Sequence, residues 1–248
     1  MDDKKQTVRA VERALDILIC FTDKQELGLT EIAKLVDLNK STVHRLLASL
    51  EGKGFLIRDP ITEKYRLGFR LWELSAHLVR EDDPALLFLP EMEKLRDLLG
   101  ETISLYVRDG RERIRIQAVE SKHTIRRVAP IGVRLPLAVG ASSKVLVAFS
   151  DESVMEFILQ DPAWPETIDK ENYVEQLKRI EQTGYATSVE EREQGTSAVA
   201  APVFNRMGDV VAALSVSGPA ARLTIEKMVE MAPAVMVAAQ RMGKMVKK

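Results

Sequence analysis

The sequence predicts an α+β protein of two domains, and three observations lead to this prediction. Over residues 1–70, helical apolar patterns precede two short extended runs. Beyond residue 84, alternating strand patterns are interleaved with helical ones, which is typical of one antiparallel sheet covered by helices. The 248 residues, 46% hydrophobic and 29% charged, are enough for two modest domains of ordinary globular composition. We place the junction at a predicted linker helix, residues 71–83.

The composition argues against several other classes of protein. No apolar run approaches the roughly 18 residues of a membrane span, and the acidic start MDD lacks the basic region of a signal peptide. We therefore expect a cytoplasmic protein without membrane contact. The lone cysteine, Cys20, excludes an internal disulfide and is expected to be a buried structural thiol. His44, His77 and His123 lie far apart, so neither a metal site nor a cofactor is predicted.

The first 70 residues predict three helices followed by a β-hairpin. Thr7 is expected to cap the first helix, and the third helix is expected to end at the glycines of EGKG. The loop DPITE favours a hairpin turn between the two extended runs. The expected ranges are 30–36 and 40–51 for the second and third helices and 55–58 and 64–67 for the strands. The apolar face expected for the first helix consists of Val8, Val11, Leu15, Leu18 and Ile19.

The second and third predicted helices have the packing pattern of a helix-turn-helix. Two helices cross closely only where the residue at the crossing is small, and Ala33 occupies that position. Asp37 stands at the turn, where glycine is common, and aspartate tolerates a left-handed conformation better than most residues. The residues expected to be buried beneath the turn are Ile32, Ala33, Val36, Leu38, Val43 and Leu46.

This packing leaves a polar, cationic surface at the start of the third helix. Short donors and cations there suit phosphate oxygens and base edges in a major groove, and the hairpin would lie beside the duplex as a wing. Net charge gives little support, because residues 1–70 carry 13 Lys and Arg against 11 Asp and Glu. A helical hairpin with a solvated basic face is the alternative. The predicted DNA-binding residues are Thr30, Lys40, Ser41, Thr42, His44, Arg45, Arg58, Lys64 and Arg66.

The C-terminal part predicts an antiparallel sheet with covering helices. TISLYV and RIRIQAV both alternate with period two around the turn dipeptide Asp109-Gly110, which predicts a hairpin over 102–119. Asp83 and Pro84 are expected to open a helix that Pro90 restarts and that ends at Gly100. Further strands are expected near 125–129, 186–190, 197–204 and 210–217, and helices at 142–149, 151–159, 171–182 and 224–246.

Serines predict a small polar pocket in this second domain. Ser215 and Ser217 lie two apart on a predicted strand, so both hydroxyls point to one face of the sheet. Ser142 and Ser143 precede the helical run KVLVAF, whose free N–H groups and positive dipole end favour an anion. Together these groups suit a carboxylate. Each serine could instead be a helix cap or a surface residue of an edge strand.

Six stretches, in matching order, resemble the IclR family of bacterial transcription regulators. They are VRAVERALDIL, TEIAKLVDLNKSTVHRLLASLEGKGFL, YRLGFRLWEL, LPLAVGASSKV, EEREQGTSAVAAPVFN and ALSVSGPAARL. The similarity covers residues 7–245. It implies a winged helix-turn-helix over residues 1–70 and a linker helix. It also implies a GAF-like domain over residues 84–248 that binds a small effector, and assembly as a homodimer or homotetramer.

The resemblance also implies which positions contact the effector. Family members that bind small keto acids tend to have aspartate and cysteine where this chain has Ser188 and Ala198, so glyoxylate or pyruvate is not assumed. The glycine usual before the pocket lysine is Ser143 here. Arg127 is a further candidate that could pair bidentately with an acid group, the alternative being an exposed arginine. The implied positions are Ala141, Ser142, Ser188, Ala198, Ser215 and Ser217.

Together these patterns favour a transcription regulator that binds a double-stranded operator and responds to a small effector, an organic acid being suspected. No G-x-S-x-G elbow or S-x-x-K pair appears, so catalysis is not predicted, and the acidic run at 190–193 is interpreted as a solvated loop. The main alternative is an architectural DNA binder without a ligand. An enzyme using the C-terminal pocket is the weaker one.

Overall fold

A computed structural model of the chain describes residues 7–22, 24–76, 84–128 and 130–246. The chain divides into two compact units, Met1–Glu81 and Asp82–Lys248. Within the described residues, no helix combines the length and the apolarity needed to cross a membrane. The elements of the N-terminal unit are α1 (Arg9–Ile19), α2 (Leu29–Leu35), α3 (Lys40–Gly52), β1 (Leu56–Arg58), β2 (Tyr65–Leu67) and α4 (Phe69–Ala76).

The helix-turn-helix packing predicted for the N-terminal unit is confirmed. Ile32, Ala33 and Val43 are buried, and the other three predicted core residues are half-buried. Asp37 adopts a left-handed conformation with φ of 48°, which lets the chain turn sharply between α2 and α3. The Asn39 side chain caps α3 by accepting the N–H of Thr42 at 2.8 Å. Because this packing fixes which side of α3 is buried, it also fixes which side is exposed.

A short hairpin closes the N-terminal unit. Strands β1 and β2 pair antiparallel, and the Asp59 carboxylate accepts two loop N–H groups, from Ile61 and Thr62, at 2.8 Å each. These bonds hold the pKa of Asp59 below its usual value. Tyr65 of β2 is buried and exchanges backbone hydrogen bonds with Leu27, which ties the hairpin to the segment before α2. The wing is thus fixed relative to α2.

Two predictions for the first helix region are wrong, those for its cap and for Cys20. Val8, not Thr7, is the cap residue of α1, and no side chain of the described residues caps the helix. The apolar face predicted for this helix is mostly exposed: Val8, Val11, Leu15 and Ile19 are each more than half exposed, and only Leu18 is partly buried. Ile17 and Phe21, four residues apart on another side, contact the core instead. Cys20 is half-buried rather than buried, and this burial raises the pKa of its thiol.

The second unit is built around one six-stranded sheet. Its strands are all antiparallel, in the order β5-β4-β3-β8-β7-β6. One face packs on α6 and α10, and the other on α7 and α9, so the predicted α+β class is confirmed. The elements are α5 (Pro84–Leu87), α6 (Leu89–Leu99), β3 (Thr102–Asp109), β4 (Glu112–Val119), β5 (Arg134–Pro136), α7 (Ala141–Ala148), α8 (Glu152–Leu159), α9 (Lys170–Thr183), β6 (Ala186–Val189), β7 (Thr196–Phe204), β8 (Val210–Pro219) and α10 (Ile225–Met245).

One predicted strand is wrong. Residues 125–128 form no strand, and the edge strand is β5, which pairs with the start of β4. Side chains occupy the carbonyls that a ladder would use. Thr102 Oγ1 donates to the Arg127 carbonyl at 2.9 Å, and Arg222 donates to the Ile125 carbonyl at 3.0 Å. Arg127 therefore projects from a loop and not from a strand.

The helix predictions around the junction are partly tested. The break between α5 and α6 confirms that Pro90 restarts the helix, and Gly100, with φ of 77°, ends it. The predicted linker helix at 71–83 is helical to Ala76, where α4 ends. Residues 77–83, which include the expected cap Asp83, lie outside the described part of the chain.

Candidate DNA interface and ligand cavity

The start of α3 carries the polar surface that the sequence predicts. Lys40, Ser41, His44 and Arg45 are exposed, and Thr42 is half-buried. Because Val43 and Leu47 anchor the opposite side of α3, these side chains are held outward together. The Ser41 hydroxyl donates to the Asn39 cap at 2.9 Å. Lys40 and Arg45 form no ion pair with any described residue, so both cations are available to an anionic partner.

The predicted residues outside α3 divide into two groups. Thr30, His44 and Arg58 line one depression between α2, α3 and the wing. Arg58 is already engaged there, since its Nη2 lies 2.9 Å from Glu63 Oε1 and its guanidinium lies 5.8 Å from the Tyr65 ring centre. Lys64 and Arg66, also on the wing, are exposed and make no ion pair with the described residues. Arg58 is thus a weaker candidate for a phosphate contact than either of them.

The effector positions implied by the resemblance come together in the second unit. Arg127 and the six other predicted positions all line one cavity of about 50 Å³. The cavity lies between the sheet, the start of α7 and the loop 190–195. Both the serine pair on β8 and the start of α7 are therefore part of the same site, as the sequence suggested.

The strand register explains why there is space at this place. Ser215 pairs with Ser104 on one side and with Ala200 on the other, and Ser217 pairs in the same way with Thr102 and Ala198. Paired residues share a face of the sheet, so a row of small side chains lies under α7. Small side chains on a covered face leave a void, and here the void is lined by hydroxyl groups.

Two buried arginines were missed by the sequence reasoning. Arg113 and Arg115 of β4 are only 3% and 2% exposed and line the same cavity. Arg113 clamps the start of α7: its Nη1 donates to the Pro136 carbonyl at 2.6 Å, to the Val139 carbonyl at 2.9 Å and to Ser143 Oγ. Burial, together with the nearby charge of Arg115, lowers the pKa of Arg113 to about 10. Arg113 is still protonated at neutral pH.

Arg115 is held differently. Its Nε and Nη2 donate to the Tyr106 hydroxyl, and its guanidinium lies 5.0 Å from the centre of the Tyr106 ring. The third nitrogen, Nη1, is buried and has no hydrogen-bond partner in the described part of the chain. No carboxylate among the described residues pairs with this side chain. A buried guanidinium without a counter-ion is costly unless a ligand supplies one.

The glutamates at 190–193 are exposed, as predicted for a solvated loop, and two of them also form ion pairs beside the cavity. Glu191 pairs with Lys144, which is itself buried, and accepts the Gly140 N–H at 2.9 Å. Glu193 pairs with Arg127, whose side chain is 10% exposed, so the alternative of an exposed arginine does not hold. One of the N–H groups expected to be free at the start of α7, that of the cap residue Gly140, is therefore engaged by an internal carboxylate.

Comparison with known proteins identifies the family. A family model described as "Bacterial transcriptional regulator IclR C-terminal" matches residues 78–244, and one described as "IclR helix-turn-helix domain" matches residues 10–60. The chain belongs to the IclR family of bacterial transcription regulators. Its winged helix-turn-helix and its sheet with covering helices are the two parts that these models describe.

Several IclR-type regulators are similar over most of the chain. XynR, an HTH-type transcriptional regulator of Escherichia coli K12, is 37% identical over 85% of this chain and 86% of its own. KdgR of the same strain is 30% identical over 98% and 94%, and the HTH-type transcriptional repressor AllR is 32% identical over 89% and 84%. These relatives are named as regulators, so this IclR-family chain is a transcription regulator and not an enzyme.

A solved relative also contains a small acid. The crystal structure of an IclR homolog complexed with 4-hydroxybenzoate, from Microbacterium hydrocarbonoxydans, is 26% identical. It aligns with a TM-score of 0.80 over 94% of this chain and 98% of that chain. The predicted fold class is therefore that of solved IclR regulators.

Proposed function

We propose that this chain is a repressor that binds a double-stranded operator through α3 and the wing, and that a small organic acid in the cavity controls this binding. The observation that carries the DNA-binding proposal is the outward, unpaired pair Lys40 and Arg45 on a helix anchored by Leu47. Repression is proposed because the relative AllR is named a repressor. We assign DNA binding to residues 1–70, the linker to 71–83, and effector binding and oligomerisation to 84–248.

In addition to the assembly assigned to residues 84–248, the exposed face of α1 supports a homodimer. Val11, Leu15 and Leu18 line an apolar groove of about 350 Å³ together with Leu50 and Phe55. An exposed apolar groove of this kind is typical of a surface that a partner covers. A second copy of the chain would place two α3 helices in successive major grooves about 34 Å apart, so the operator should be roughly palindromic. A homotetramer would need a further interface in the C-terminal unit.

The cavity supports an acidic effector. Four arginines line it, namely Arg113, Arg115, Arg127 and Arg192, against the two carboxylates of Glu191 and Glu193. An excess of positive charge around the cavity favours an anion over a neutral ligand. The solved relative that contains 4-hydroxybenzoate is consistent with an acid as the ligand. An architectural DNA binder that needs no ligand would have no use for such a cavity.

The Arg45→Ala variant tests the role assigned to α3. If Arg45 pairs with a base, its loss should cost about 1–3 kcal/mol of specific binding and relax the sequence preference at one operator position. The measurement is fluorescence anisotropy with operator DNA selected from a random library, and with variants of its sequence.

Lys64→Ala on the wing is the matched control for Arg45→Ala. Since a phosphate contact carries no sequence information, this variant should weaken binding to all sequences alike and reduce the salt slope by about 1. Equal loss on all sequences with Arg45→Ala would show that Arg45 contacts phosphate only. Unchanged binding in both variants would contradict the assigned interface.

A further inference from the structure

The donors of the cavity are not all available to a ligand. Arg113 Nη1 already donates to carbonyl groups of the loop before α7, and Arg127 forms an ion pair with Glu193. At the start of α7, the Gly140 N–H donates to Glu191. Two buried nitrogens of the lining arginines, Arg113 Nε and Arg115 Nη1, have no partner among the described residues. Because Arg113 already holds the start of α7, a ligand's negative charge is best placed on Arg115.

The remaining polar groups of the cavity are hydroxyls. Ser142, Ser188, Ser215 and Ser217 are each at least nine-tenths buried and line the cavity. None of their hydroxyls forms a hydrogen bond with another described residue, and Ser217 Oγ is fully enclosed. A buried hydroxyl without a partner costs about 1–3 kcal/mol, so a ligand that pairs with these groups gains more than one that only fills space.

The apolar part of the lining is small. Ala141 and Ala198 contribute only methyl groups, and Tyr106 contributes a ring that already lies against Arg113 and Arg115. Ligand sites for flat or aliphatic molecules are lined mostly by apolar side chains. A cavity of about 50 Å³ also has space for only a few water-sized groups. Both features favour a short, polar ligand.

We infer that the cavity binds a short hydroxylated carboxylic acid, with its carboxylate on Arg115 Nη1 and its hydroxyls on the serines. This inference rests on the proposed function, because it takes the cavity to be the effector site. It assigns Arg115, rather than Arg127 or the start of α7, as the residue that receives the acid group. It also assigns the serines as the groups that select hydroxylated acids over plain ones.

Three acids with one carbon skeleton test the selection. Propanoate, 2-hydroxypropanoate (lactate) and 2,3-dihydroxypropanoate (glycerate) differ only in their hydroxyl groups, and glycerol lacks the carboxylate. Titration calorimetry on the full chain should show affinity rising by at least about fivefold for each added hydroxyl that pairs. Glycerol should not bind measurably. 4-Hydroxybenzoate in the same series represents the aromatic acids.

Two variants test the assigned residues. Arg115→Met should lose at least about tenfold in glycerate affinity, since a charge-assisted hydrogen bond is removed. Its melting temperature without ligand should be unchanged or higher, because an unpaired buried charge is removed, whereas a purely structural arginine would lower it. Ser217→Ala should weaken glycerate and leave propanoate unaffected.

The possible results distinguish a failure of the hydroxy-acid inference from a failure of the proposed acid-responsive function. Equal binding of propanoate and glycerate, or binding of 4-hydroxybenzoate alone, would overturn the hydroxy-acid inference and leave an acid-responsive regulator. Unchanged glycerate affinity in Arg115→Met would overturn the assignment of Arg115. Binding of none of these acids would overturn the inference and contradict the proposed effector class as well.

Discussion

The Leu47→Ala variant is expected to lose specific DNA binding almost completely. Leu47 is fully buried at the centre of the core shared by α1, α2, α3 and the hairpin. Removing its side chain from a packed core costs about 2–5 kcal/mol, a large part of the roughly 5–15 kcal/mol that stabilises a typical domain. Without this anchor, the outward face of α3 is no longer held in one orientation. Thermal unfolding followed by circular dichroism, and anisotropy with operator DNA, measure both effects.

Leu35→Ala is the matched control for this prediction. Leu35 lies in the same helix-turn-helix but is 54% exposed, so the same chemical change should alter stability by no more than about 0.5 kcal/mol. Ligand binding in the C-terminal unit should be preserved in both variants. Equal stability and DNA binding of Leu47→Ala and Leu35→Ala would contradict the assigned core.

The Glu191→Ala variant is expected to destabilise the C-terminal unit by about 3 kcal/mol. It removes the carboxylate from Lys144, whose side chain is 5% exposed, and the acceptor from the Gly140 N–H. A buried ammonium without a partner is more costly than the pair, so the double variant Glu191→Ala with Lys144→Met should recover much of the loss. The free energy of unfolding in urea measures each step.

Glu230→Ala is the control for the charge pair. Glu230 pairs with Lys227 at 2.9 Å, but the two side chains are 69% and 44% exposed, and exposed pairs contribute little. A change within about 0.5 kcal/mol is expected. If Glu191→Ala lowered the free energy of unfolding no more than Glu230→Ala does, the contacts of Glu191 with Lys144 and Gly140 would not be what holds the loop at 190–195 against α7.

The features set by local residues could be predicted from the sequence. Ala33 at the helix crossing, Asp37 at the turn, and the Asp109-Gly110 hairpin each depend on the conformation or size of one or two residues. The same holds for Pro90, whose ring cannot continue a helix. The structure at each of these positions is determined by residues that are close together in the chain.

The features set by distant residues could not be predicted in the same way. The chemistry of the cavity depends on contacts between Arg127 and Glu193 and between Lys144 and Glu191, which lie 66 and 47 residues apart in the chain. The strand expected at 125–129 was wrong for the same reason, because the distant Thr102 hydroxyl donates to the Arg127 carbonyl that a strand ladder would use. Charged residues in a loop resemble a solvated surface until their partners are known.

One signal for the missed arginines was present in the sequence. RIRIQAV places Arg113 and Arg115 on one face of a strand. A polar face on a strand normally indicates solvent, but the sheet was predicted to be covered by helices. Two arginines on a covered face therefore indicate an interior polar site. The bulge between Leu105 and Tyr106 places Tyr106 opposite Arg115. No sequence pattern predicted this bulge.

The most direct test of the account is the operator affinity of the full chain with and without the acid of the series that binds it most tightly. Anisotropy titrations with selected operator DNA and with a scrambled duplex give the specific component. Saturating acid is expected to change the operator dissociation constant by at least about fivefold, to leave binding to the scrambled duplex unaffected, and to have little effect on operator binding by Arg115→Met. Equal operator affinity with and without an acid that is demonstrably bound would contradict the account.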